Sequence, residues 1–241
     1  MSAAVGSVSA MHIILIPGFW LTGDSWAPVT RALEDAGHTA HPLTLPGKAP
    51  GHDAAGVGLR SHIDAVVALI DTLEGDVVLV GHSGGGAVAY GAVDARPDRV
   101  SRVVYVDSGP LADGGVINDG FESSGGAVPL PDRGVFGEPD LVDMTEEAWQ
   151  RLADIAVPEP VGVATERQQL SDERRYDVPA VVITSTMPEP MLRQFMADGH
   201  PYVAELTRAR SVRIVELPTG HWPQLTKPDE LAAAVVDAVT G

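Results

Sequence analysis

The 241-residue chain contains no cysteine. That absence excludes disulfides, a thiolate nucleophile and any cysteine-ligated metal centre. It also favours a cytoplasmic location, because secreted proteins more often use disulfides. Cations are scarce. Sixteen Lys and Arg stand against 33 Asp and Glu, a formal net charge of −17. Such a surface repels phosphate backbones and anionic lipid, so neither nucleic acid nor membrane is an expected partner. Long hydrophobic runs are missing too, and none approaches the roughly 20 residues of a membrane helix. Residues 1–10 lack the basic start and apolar centre of a signal peptide. They read as a disordered extension of small residues. Met11, which opens the first strand, is a second candidate start of the chain. Internal repeats and low-complexity tracts are absent.

What is present is a core. Hydrophobic residues make up 44% of the chain, enough for one large α/β domain. Apolar strands alternate with amphipathic helices, which predicts a mostly parallel sheet with helices on both faces. His12–Ile16 reads as a strand buried on both sides. Residues 25–37 form a helix with Trp26, Val29 and Leu33 on one stripe. Further strands are expected at 39–45, 76–80, 102–106, 179–185 and 212–217, and helices at 59–73, 189–208 and 227–239. The rhythm breaks between 110 and 177. No strand is evident there, and helices are expected at 145–155 and near 163–170. A structureless stretch of that length is rare in a compact domain unless it is functional. The expected organisation is a core of residues 11–109 and 178–241, with residues 110–177 inserted as a small helical lid.

The chemistry centres on Gly81-His82-Ser83-Gly84-Gly85, directly after Val77-Val78-Leu79-Val80 and before a small-residue helix. A G-x-S-x-G turn between strand and helix strains the serine backbone and pushes Oγ out of the sheet. Flanking glycines avoid collisions there. A serine hydroxyl needs a general base, and histidine is best matched to neutral pH. His221 follows the last strand in Pro218-Thr219-Gly220-His221-Trp222-Pro223. That is the carboxyl edge of a parallel sheet, where Ser83 also points. His82 is expected to point away from Ser83 in a structural role. His52, on the loop after the second strand, is a candidate for the pocket mouth.

The histidine needs an acid to set its tautomer. Asp107, just beyond the strand that follows Ser83, is the favoured candidate. Glu189, Asp198 or no acid at all remain as alternatives. For the oxyanion, backbone donors are expected from Gly84, at a helix N-terminus, and from Phe19, with Gly18 permitting close approach. Trp20 and Trp222 are candidate apolar walls of a substrate pocket. There is no metal cluster, phosphate-binding loop or dinucleotide fingerprint, so no cofactor is expected.

Ile16-Pro17-Gly18-Phe19-Trp20, Gly81-His82-Ser83-Gly84-Gly85, Val104-Tyr105-Val106-Asp107 and Leu217-Pro218-Thr219-Gly220-His221 together resemble the α/β-hydrolase superfamily. The resemblance runs from Met11 to nearly the end of the chain. It is closest to compact actinobacterial-type serine hydrolases, and more distant to plant methyl-salicylate esterases and hydroxynitrile lyases. Two positions depart from the usual pattern. Pro17-Gly18 stands where many members have His-Gly. Thr186 stands where most place the acid, whereas haloalkane dehalogenases and some lactonases take it from the position of Asp107. The resemblance implies a serine esterase or lactonase acting on a small to medium, mostly apolar substrate, as a monomer or homodimer. It leaves open a hydroxynitrile-lyase-like or cofactor-free oxygenase activity, and a non-catalytic small-molecule receptor.

Overall fold

The computed structural model describes residues 10–49, 51 and 54–241. The expected N-terminal extension, apart from Ala10, and the position of His52 lie outside those residues. Among the described residues, eight strands occur in chain order: β1 His12–Ile16, β2 Thr39–Pro42, β3 Val77–His82, β4 Val100–Val106, β5 Ala127–Val128, β6 Glu159–Pro160, β7 Ala180–Thr184 and β8 Val212–Glu216. The α-helices of the described residues intersperse them: α1 Ala27–Asp35, α2 Leu59–Thr72, α3 Gly84–Ala95, α4 Glu146–Ile155, α5 Val161–Thr165, α6 Glu189–Ala197, α7 Ala204–Arg208, α8 Pro223–Thr226 and α9 Pro228–Thr240.

Six strands form one parallel sheet in the order β2-β1-β3-β4-β7-β8. Its side chains divide by the two-residue period of a strand. Ile14, Ile16, Leu79, Val103, Tyr105 and Val182 face one core, with residues of α2, α3, α6 and α7. Ile13, Leu15, Val78, Val80, Val104 and Ile183 face the other, with α1 and α9. Both faces of the central strands are therefore covered, which is why β1, β3 and β7 read as nearly unbroken apolar runs.

Residues 110–177 pack over the carboxyl edge of this sheet. A third cluster joins Phe19, Trp20, Leu21 and Trp222 of the core to Val128, Met144, Leu152 and Val163 of the insertion. Helix α4 begins where its cap predicts, with Thr145 Oγ1 accepting from the Ala148 amide at 3.1 Å. The expectation of no strand in this segment is corrected: β5 and β6 pair antiparallel. At two residues each they are too short for an alternating pattern to register. The helix expected near 163–170 is the short α5. Beyond it the chain is held extended by Gln168, whose amide donates to Gly115 and whose carbonyl accepts from Gly114. The single helical region expected at 189–208 is broken by Gly199, at φ 65°, and by Pro201.

Candidate active site

Ser83 sits between β3 and α3 with φ 51° and ψ −126°, a conformation that non-glycine residues rarely adopt. Two glycines make the turn possible. A Cβ on Gly81 would lie 2.5 Å from the Gly85 carbonyl oxygen, and one on Gly85 would lie 2.5 Å from that of Ile16. The strained residue is tied down on both sides. Its amide donates to the Val106 carbonyl at 3.2 Å, and its own carbonyl accepts from Ser108 Oγ at 2.6 Å. Strain of this kind persists only where surrounding contacts over-determine it.

Ser83 Oγ lies 2.8 Å from His221 Nε2, and His221 Nδ1 lies 2.7 Å from Asp107 Oδ2. The carboxylate can only accept, so Nδ1 carries the proton and Nε2 presents its lone pair to the serine hydroxyl. The other carboxylate oxygen, Oδ1, accepts from the Ser185 amide at 3.0 Å, the Thr186 amide at 2.9 Å and Thr186 Oγ1 at 3.0 Å. Burial pushes Asp107 up, but the His221 contact and the two amides outweigh it and hold the carboxyl below its usual range. Thr186, at the position where the family pattern usually puts the acid, serves as a ligand to an acid from the neighbouring strand. The alternatives lie elsewhere: Glu189 pairs with Arg193 and Asp198 with Gln194, both on the outer surface of α6 and its end.

His221 is oriented from behind as well. Its carbonyl accepts from Nε2 of His82 at 2.7 Å, and its amide donates to the Asp140 carbonyl at 2.9 Å. Because that carbonyl needs a donor, His82 carries its proton on Nε2. Its Nδ1 is buried without a partner among the described residues. Burial, and then the neighbouring His221, lower the His82 pKa to about 3, so the ring stays neutral.

The Phe19 and Gly84 amides have no hydrogen-bond partner among the described residues. Gly84 opens the 12-residue helix α3, whose N-terminal amides favour negative charge. Gly18 lets the Phe19 loop approach: a Cβ there would meet His82 Nδ1 at 2.7 Å and Ser83 Cβ at 2.8 Å. A cavity of about 480 Å³ opens at Ser83, Gly84 and His221, with Ala87, Ile117, Tyr202 and Glu205 among its walls. A second, of about 210 Å³, adjoins it at Asp107 and is walled by Val182, Leu192 and Leu206.

Trp20 and Trp222 are not on those walls, contrary to expectation. They are 3% and 1% exposed. Trp222 meets the Phe136 ring edge-on at 5.0 Å, and Trp20 meets Phe121 at 5.3 Å. Aromatic area of this size is most stabilising when it is sealed, and the insertion seals it. Ser185, Thr186 and the Asp140 carbonyl were not anticipated from sequence. Thr186 had a signal in the placement of Asp107 one strand away. The Asp140 contact is loop to loop and had none.

A model of the alpha/beta hydrolase family matches residues 13–234. A pyrethroid hydrolase of Sphingobium wenxiniae is 24% identical over 95% of this chain and 88% of its own. Among solved structures, an extracellular alpha/beta-hydrolase from a Paenibacillus species superposes with a TM-score of 0.73 at 23% identity, covering 95% of this chain and 98% of that one. A methylesterase from Arabidopsis gives 0.71 at 18% identity, covering 95% and 99%. With the parallel sheet, the strained serine turn and a match spanning nearly its whole length, the chain belongs to the alpha/beta hydrolase family.

Proposed function

We propose that this protein is a serine hydrolase that cleaves small to medium, mostly apolar carboxylic esters or lactones through an acyl-enzyme. Ser83 Oγ attacks the carbonyl carbon while His221 Nε2 takes its proton. The carbonyl π electrons move to oxygen, and the Phe19 and Gly84 amides donate to that oxyanion. Collapse of the tetrahedral adduct breaks the carbon–oxygen bond to the leaving group, and imidazolium Nε2–H protonates the departing alkoxide. Water, deprotonated by His221 Nε2, then attacks the acyl carbon; collapse of that adduct breaks its bond to Ser83 Oγ, which takes the proton back from Nε2–H, and the acid is released. Asp107 keeps the imidazole in its working tautomer and stabilises the imidazolium between the two proton transfers. Residues 110–177 serve as the lid.

The observation that carries this reading is the continuous chain Ser83–His221–Asp107, at 2.8 and 2.7 Å, at the floor of an open cavity. The cavity is of a size that suits a compact ligand. Similarity to a protein named as a pyrethroid hydrolase supports hydrolysis over the lyase and receptor readings. Pre-steady-state kinetics with p-nitrophenyl acetate and butyrate test it. A nitrophenolate burst stoichiometric with enzyme, followed by slower turnover, is the expected result. No release from either ester would remove the hydrolase reading.

A further inference from the structure

A second buried charged group lies away from Ser83. Lys48, Glu159 and His62 are each at most 2% exposed. Lys48 Nζ pairs with Glu159 Oε2, and His62 Nδ1 lies 3.9 Å from Glu159 Oε1. None of the three lines the cavity at Ser83. A buried ion pair is a poor source of stability, since apolar side chains of similar volume commonly do as well or better. Burial pushes Glu159 up and Lys48 down, their contact opposes both shifts, and the Trp20 amide also favours the charged form of Glu159.

The contact that gives the pair a purpose is on the backbone. Glu159 Oε2 also accepts from the Trp20 amide, at 3.4 Å. Trp20 has φ 64°, left-handed for a residue with a Cβ. Its carbonyl accepts from the Val157 amide at 2.9 Å, and its indole Nε1 donates to the Val128 carbonyl at 3.1 Å. Every polar group of Trp20 is thus taken by residues 128–159. Phe19, the proposed oxyanion donor, precedes it directly. Rotating the Trp20 peptide back towards an ordinary conformation would swing the Phe19 backbone with it.

We infer that Glu159, fixed by Lys48, is a positioning residue that holds the Trp20 peptide and thereby aims the Phe19 amide at the oxyanion. This rests on the proposed oxyanion role of Phe19. Glu159 touches no reacting atom. It sets the geometry of one that does, and an error of about 1 Å in such a donor costs on the order of 100-fold in rate.

Two double variants separate positioning from folding. K48M/E159Q removes both charges but keeps an oxygen that can accept from Trp20. K48M/E159L removes the charges and the acceptor together. Each is assayed for p-nitrophenyl butyrate turnover, for inhibition by an aryl trifluoromethyl ketone, whose serine adduct carries the oxyanion, and by thermal melting. In K48M/E159L, kcat is expected to fall about 10- to 100-fold, with the inhibition constant rising by a like factor and KM changing less than about twofold. K48M/E159Q is expected to stay within about threefold of wild type. Equal kcat and inhibition in the two variants would overturn the inference. Should K48M/E159L not fold, Glu159→Asp takes its place, withdrawing the carboxylate by one methylene, with the same loss of kcat at steady KM expected. A wild type that turns over while these variants are unimpaired sinks only this inference. A wild type without turnover sinks the proposed function and this inference with it.

Discussion

The sheet and the insertion over its edge stabilise themselves differently, and the contrast explains how the site is built. The sheet is aliphatic, covered on both faces and regular, and its strand ends carry Ser83 and Asp107. The insertion has only two short strands and packs through aromatic rings. It contributes no member of the Ser83–His221–Asp107 chain. What it contributes is backbone: Asp140 and Val142 carbonyls accept from the His221 and Gly220 amides at 2.9 and 3.0 Å, and the Val157 amide donates to Trp20. Gly220 permits the first contact, for a Cβ there would lie 2.3 Å from the Asp140 oxygen. Strand ends hold reactive groups rigidly because their neighbours are fixed by ladder hydrogen bonds. The two loops that must also be placed, at Phe19 and His221, lack that support and receive it from the insertion.

Changes in the two regions should therefore separate chemistry from folding. Asp107→Asn acts on the sheet side and is expected to lower kcat by about 10,000-fold, because the amide can donate to Nδ1 and stabilise the wrong tautomer. Melting temperature should move little, and steady-state kinetics beside a thermal scan checks both. Trp222→Ala acts at the seam. It is expected to cost about 3–5 kcal/mol of stability by emptying the aromatic cluster, read by urea titration.

pH acts on two buried histidines of the core, of which His62 lies against Glu159 of the insertion. His62 is lowered to about 4 by burial, and His82 to about 3 by burial and then His221. Both bind protons in the unfolded chain below about pH 6.5 but stay neutral when folded. The unfolded state thus gains protons first, and stability falls as pH drops from about 6.5 towards 4. Each histidine contributes up to about 1.4 kcal/mol per pH unit. Asp107, held low in the fold, adds loss in the same direction only below about pH 4. A stability series across that range that stayed flat would contradict the neutral, buried assignment of both rings. The smallest effect is expected from Thr186→Val, which removes one hydroxyl donor to Asp107 but leaves both amides. It should reduce kcat about tenfold, with the acidic limb of the kcat/KM profile as a second readout.

The sheet was legible in the sequence because a strand covered on both faces leaves an unbroken apolar signature, and β1, β3, β4 and β7 fall where those runs are. Ser83 and Asp107 were legible because each sits just past a strand end, and His221 because it lies on the loop that follows the last strand, placements that chain order alone reveals. The helix break at Gly199 was written in Gly and Pro but masked by the apolar residues on either side. Trp20 and Trp222 were misplaced for a different reason. A tryptophan beside a reactive residue reads the same whether it faces the cavity or backs the loop, and only the partners from residues 121–149 decide it. Glu159 is the extreme case. Its role depends on Lys48 and Trp20, more than 100 residues away, and no local pattern couples them.

In the proposed function, everything turns on Ser83 as a nucleophile activated by His221. The most direct measurement is labelling with a fluorophosphonate at neutral pH, followed by intact-mass and peptide mapping of wild type and Ser83→Ala. One adduct per chain, on Ser83 and absent from Ser83→Ala, is the expected result. An unlabelled wild type, or an adduct that persists in Ser83→Ala, would contradict it.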